Sequence, residues 1–125
     1  MNKEEIIEIL NKYNFDKKEF YVISGAALVL RGVINKTKDI DICVSNNYFN
    51  ILLNTFHCVY ERTNEFKKDI YMIDDVINFG VSFKPNNYEI VSGFKVASLK
   101  DCFILKKFLN RDKDKEILKI LKKLL

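Results

Sequence analysis

Proline occurs once and glycine four times in the 125 residues, so little material exists for a flexible linker. Neither a repeat nor a low-complexity tract divides the chain, and its length suits one domain covering residues 1–125. Histidine occurs once, at His57, and the three cysteines, Cys43, Cys58 and Cys102, are widely spaced with no CxxC pair. That excludes a zinc site of the usual Cys/His kind and fits free thiols in a reducing compartment. No run approaches the ~20 apolar residues of a membrane span, and Met1 to Glu5 carry no apolar signal. A cytoplasmic protein with no membrane partner is expected. A strong charge of one sign is also missing: 21 basic and 17 acidic residues leave +4. This suits an anionic ligand but is not the footprint of a dedicated nucleic-acid binder.

Apolar residues make up 48% of the chain and charged residues 30%, enough for one core and a solvated surface. Ile6, Ile7, Leu10 and Tyr13 at helical spacing predict a helix over 3–13. A polar break with Phe15 turned inward precedes a strand over 20–23. Ser24-Gly25 ends that strand, a helix covers 26–30, and Gly32 closes it. Residues 39–44 read as a strand with Asp39, Asp41 and Cys43 on one face and Ile40, Ile42 and Val44 on the other. Asn46 or Asn47 is expected to cap a helix running to about residue 56. Strands follow over 59–62, 70–73 and 76–83, with Asp74-Asp75 as a turn, and then over 88–91 and 94–96, broken at Ser92-Gly93. Ser98 is expected to cap a helix over 99–109, with Asp101 three residues on. After a break at Asn110-Arg111 comes a last helix whose buried stripe is Ile117, Leu118, Leu121, Leu124 and Leu125. The order predicts an α/β (α+β) fold, a mixed β-sheet flanked by helices.

The stretch 23–44 carries the chemistry. Asp39 and Asp41, two apart on a strand, leave the same face and repel each other unless a cation lies between them. A hard divalent ion, Mg²⁺ or Mn²⁺, is the natural partner, because such ions take carboxylate and phosphate oxygens. Ser24 and Gly25, coming off a strand into a helix, offer backbone N–H groups to a phosphate, and Gly25 allows close approach.

The same stretch resembles the signature of the polymerase-β-like nucleotidyltransferase superfamily. There a Gly-Gly or Gly-Ser turn precedes Ala-Leu, a helix, a Thr and Asp-Ile-Asp-Leu. The matching residues are Ser24-Gly25, Ala27-Leu28, Gly32, Thr37 and Asp39-Ile40-Asp41-Ile42. Their spacing is like that of the abortive-infection and type IV toxin nucleotidyltransferases. Gly93 to Asp101, Leu105-Lys106 and Leu109 to Asp114 resemble that group's later elements. The resemblance implies the nucleotidyltransferase fold with C-terminal helices, and Asp39 and Asp41 as catalytic metal ligands. It also implies that Lys106, Arg111 and Lys113 face a nucleoside triphosphate, although an exposed basic helix face accounts equally well for Lys113. Asp114 would pair with a basic neighbour or cap the last helix.

Two positions depart from the pattern. Ser24 stands where the first Gly is usual, and its hydroxyl can itself bind phosphate. The third carboxylate of the family falls on Asn78, which can orient a hydroxyl but cannot take its proton. Asp75, Asp69 and Glu89 are the other acids in range. Larger relatives add a helical domain, so an acceptor that docks itself, a homodimer or a partner protein is expected to complete the site.

Three functions fit this pattern. One is transfer of a nucleoside monophosphate from an NTP to a hydroxyl on RNA, protein or a small molecule. By resemblance this implies a toxin–antitoxin, phage-defence or antibiotic-modifying role. The second is a catalytically weakened binding module or partner subunit. The third is a structural domain whose acidic pair is incidental.

Overall fold

The computed structural model describes residues 1–125. It is an α+β protein built on one mixed seven-stranded sheet. The strands are β1 (Phe20–Ile23), β2 (Ile40–Val44), β3 (Cys58–Thr63), β4 (Asp69–Ile73), β5 (Ile77–Gly80), β6 (Tyr88–Val91) and β7 (Phe94–Ala97). Their order across the sheet is β3-β4-β5-β2-β1-β7-β6. The β2–β5 and β1–β7 pairs are parallel and the others antiparallel. The helices are α1 (Lys3–Lys12), α2 (Ser24–Leu30), α3 (Asn46–Thr55), α4 (Leu99–Leu109) and α5 (Lys115–Leu124), with a 3-10 turn over Asp112–Asp114.

Local chemistry sets most boundaries. Asn2 and Glu5 form a reciprocal capping box that opens α1. Past α2, Gly32 has φ +75°, with Gly32 N–H donating to Val29 O and Val33 N–H to Leu28 O, the paired bonds of a Schellman stop. Turns with two positive φ angles join β4 to β5 through Asp74-Asp75-Val76, positive at the two Asp, and β6 to β7 through the two-residue Ser92-Gly93. Ser98 caps α4, its Oγ accepting from Asp101 N–H. Asn110, at φ 48°, ends the helix.

Several expectations are corrected. The cap of α3 is Ser45, whose Oγ accepts from Tyr48 N–H; Asn46 and Asn47 lie inside the helix. Helix α2 begins at Ser24, two residues early, because a positive φ of 56° there turns the chain straight from strand to helix. Asp39 lies just before β2, and β5 is half the expected length. Of the stripe on α5 only Leu121 is buried; Ile117 and Leu118 are half-buried, and Leu124 and Leu125 are more than half exposed.

Ile40, Ile42, Ile77 and Phe79 alternate with Asp41 and Asn78 and are buried. Phe79 and Tyr71 meet Phe49 of α3, so this helix covers that face of the sheet. Phe15 turns inward as expected, against Tyr13, Phe20 and Phe56. Helix α2 packs on β1, β2 and β7 and against α1 and α4. Cys43 and Cys102 are core residues, and burial pushes both thiols up to about 11. No helix is long and apolar enough to cross a membrane.

Candidate functional site

The parallel pairing of β2 with β5 puts Asp41 directly beside Asn78. Asn78 Nδ2 donates to Asp41 Oδ1 at 3.0 Å. Asn78 is only 8% exposed, and its Oδ1 has no hydrogen-bond partner. A buried carbonyl oxygen left this way costs about 1–3 kcal/mol. Asp39, one residue before the strand, and Asp41 are both half-buried. Burial pushes the Asp41 carboxyl above its ordinary range; the Asn78 bond pulls it down, the Asp39 charge pushes it up, and the Arg62 and Lys106 charges pull it down, leaving it raised. Burial, more than repulsion from Asp39, disfavours the charge on Asp41, and a cation placed beside it would restore it. Together with Asn78 Oδ1 the two carboxylates are an oxygen donor set of the kind hard divalent cations take.

This floor opens into a cleft of about 380 Å³. All eight residues singled out in the sequence line it: Ser24, Gly25, Asp39, Asp41, Asn78, Lys106, Arg111 and Lys113. Six basic and four acidic side chains face the cleft, which makes it cationic overall.

Gly25 has a different reason to be glycine from the one expected. A Cβ there would lie 2.6 Å from Thr37 Oγ1, so the side chain that approaches closely is Thr37. The 36–38 loop is pinned in turn by the chain start: Thr37 N–H donates to Met1 O, and the Met1 amino group donates to Thr37 O. This brings Lys36 and Lys38 to the cleft. Ser24 holds a left-handed φ that glycine would adopt without strain, a cost of about 1 kcal/mol concentrated at the cleft.

Opposite, Lys106 of α4 is 5% exposed and ion-paired at 3.2 Å to Asp114 Oδ1. Arg111 Nε donates to Asp114 Oδ2 at 2.6 Å. Burial pushes the Asp114 carboxyl up, but the Arg111 bond and the charge and bond of Lys106 outweigh it and hold the group below its ordinary value. Asp114 thus pairs with two cations and makes no side-chain cap bond to α5. Lys106 and Arg111 share one buried acid, while Lys113 is exposed at the rim.

The other acids considered stay outside. Asp69 accepts from Thr63 at the β3–β4 edge, Glu89 pairs with Arg31 beside β7, and Asp75 lies in its turn; none lines the cleft. No three His, Cys, Asp or Glu side chains converge on one point.

Arg62, Asn64, Glu65, Phe66 and Phe83 also line the cleft and carry no local signal in the sequence. A register shift between Tyr60 and Arg62 bulges β3 and re-aims Arg62 toward the carboxylates. A bulge depends on the partner strand, so residue pattern alone does not reveal it.

Neither a protein-family model nor a solved structure matches the chain. Among curated proteins, elongation factor Tu of the apicoplast of Plasmodium falciparum (isolate 3D7) is 35% identical over 57 residues. The match takes in 46% of this chain and 14% of that protein, far too little of it to place the chain in its family.

Proposed function

We propose that the chain is a metal-dependent nucleotidyltransferase with the polymerase-β-like nucleotidyltransferase fold, moving a nucleoside monophosphate from an NTP to a hydroxyl acceptor. The observation that carries this is the floor of the cleft. Asp41 and Asn78 are neighbours across a parallel strand pair, Asp39 is two residues away, and a buried amide oxygen is left without a partner.

Asp39, Asp41 and Asn78 Oδ1 would hold Mg²⁺ or Mn²⁺. Such an ion, when bound, polarises the α-phosphate and neutralises charge on the phosphates. The chain's own groups do the rest. The Ser24 hydroxyl and the start of α2 receive phosphate oxygens. Lys106 and Arg111, fixed by Asp114, and Lys113 at the rim offset the triphosphate charge. The acceptor is an RNA, a protein or a small molecule, and a toxin–antitoxin role rests on the sequence resemblance alone. The free cysteines, two of them core residues, fit the reducing cytoplasm.

One observation favours a second reading, a nucleotide-binding module or partner subunit with weakened transfer. Asn78 stands beside Asp41 where a carboxylate would take the hydroxyl proton, and no other acid considered reaches the cleft.

Thermal unfolding with Mg²⁺ and each of the four ribonucleoside triphosphates tests the site, on the wild type and on Asp39→Ala/Asp41→Ala. A ligand at a hundred times its Kd stabilises the folded state by about 2.7 kcal/mol. At least one triphosphate is expected to raise the midpoint only with metal, and not in the variant. The variant relieves a repulsion but leaves Asn78 Nδ2 without its acceptor, so its own unfolding transition without ligand is the baseline from which the lost shift is read. No shift with any triphosphate at several times millimolar concentration would overturn the proposal. Transfer of an α-phosphate label to an acceptor then separates enzyme from binding module.

A further inference from the structure

Three phenylalanines from three separate segments meet beside the cleft. Phe66, in the β3–β4 loop, stacks on Phe108 of α4 with ring centres 5.1 Å apart and planes 18° from parallel. Phe83, in the segment after β5, is 6.1 Å from Phe66. Phe66 and Phe83 line the cleft; Phe108 backs Phe66 and is 59% exposed. None of the three belongs to the core cluster.

The loop that presents Phe66 is tightly built. Asn64 Oδ1 accepts from Phe66 N–H at 3.0 Å and from Lys68 N–H at 3.1 Å. Asn64 N–H donates to Lys68 O, and Lys67, at a left-handed φ of 59°, donates to Asn64 O. Asn64 Oδ1 thus fixes the backbone from which the Phe66 ring extends. A fixed aromatic pair on the wall of a cleft lined by Lys36, Lys38, Arg62, Lys106, Arg111 and Lys113 joins a flat apolar surface to a cationic one. That combination suits a ligand with a planar ring at one end and a polyanion at the other.

We propose that Phe66 and Phe83 are the seat of the nucleobase, so that the cleft takes a nucleoside triphosphate in preference to a bare polyphosphate. This rests on the nucleotidyltransferase reading of the same cleft. Phe66 carries the selectivity, since its ring is held by the loop and by Phe108 and not by the core. Removing a ring that stacks on a base costs about 1–3 kcal/mol, roughly a 5- to 150-fold loss of affinity.

Calorimetric titration of the full chain, with Mg²⁺, compares the four ribonucleoside triphosphates with inorganic tripolyphosphate on the wild type, Phe66→Ala and Phe66→Trp. Phe66 is a half-buried loop residue, so both variants keep the fold. The wild type is expected to bind its best nucleotide at least tenfold tighter than tripolyphosphate. Phe66→Ala is expected to lose about tenfold or more for the nucleotide and to leave tripolyphosphate within twofold, while Phe66→Trp keeps nucleotide affinity. Equal loss for both ligands in Phe66→Ala would overturn the seat and make the ring part of the cleft's wall. Unchanged nucleotide affinity would overturn it as well. Failure of both ligands to bind the wild type would overturn the cleft reading and the seat with it.

Discussion

Gly25 is held to glycine by a neighbour and not by its backbone angle. An added Cβ would meet Thr37 Oγ1 at 2.6 Å and Thr37 Cβ at 3.3 Å. Gly25→Ala is therefore expected to cost about 1–3 kcal/mol by overpacking. Thr37→Ala in the same chain removes the nearer atom and should recover at least half of that. A double-mutant cycle by urea unfolding measures the coupling, and two strictly additive effects would show that the contact does not set the residue. Asp114 makes a second test. Its carboxyl lies lower folded than unfolded, so its stabilising contribution is complete above the ordinary carboxylate range and is lost as pH falls through the folded value. Asp114→Asn should flatten the acid limb of the stability–pH curve. At neutral pH, Asp114→Ala leaves the buried Lys106 without its ion-pair partner, at about 3–5 kcal/mol. An unchanged unfolding midpoint in that variant would mean that Lys106 reaches water.

At the scale of the element, α5 shows how far a hydrophobic stripe can mislead. Its spacing marks five apolar residues as one face, yet only Leu121 is fully buried; Ile117 packs half-buried against the core, while Leu124 and Leu125 are 54% and 58% exposed. Leu121→Ala is expected to cost about 2–5 kcal/mol, and Leu124→Ala to stay within about 0.5 kcal/mol. Similar losses at the two sites would put the end of α5 under cover. Elements bounded by chemistry inside their own sequence are the most legible. β1 and α4 fall on the expected residues, and the Asp74-Asp75 and Ser92-Gly93 turns are where their residue types place them. At α3 a Ser and two Asn compete as caps within three residues, and Ser45 takes the role because its Oγ reaches Tyr48 N–H.

For the whole molecule, the candidate site divides along the same line. Ser24, Gly25, Asp39 and Asp41 lie in one stretch whose spacing is local, and Lys106 and Arg111 in another, so both groups were visible as patterns. That Asn78 lies beside Asp41 depends on the register of a parallel pair, and the place of Arg62 depends on a bulge. Phe66, Phe83 and Phe108 come together only through the path of three separate segments. Burial likewise belongs to the assembled molecule: Lys106 is expected from the sequence to face a triphosphate, but that it is only 5% exposed and paired with Asp114 depends on the packing of separate elements.

The parallel pairs have a consequence in time. Neither β1 with β7 nor β2 with β5 can zip up as a hairpin, and Val22 must wait for Val96. Pairings between such distant residues pay their loop-closure entropy before any contact rewards them, which makes them slow to form. On the ribosome, the β3–β4 hairpin can close early, but the cleft has no complete floor until β5 has emerged, and Lys106 and Arg111 are not fixed until Asp114 has followed. The complete cleft therefore forms late in folding, after residues 106–114 have packed against a sheet that already joins β2 to β5.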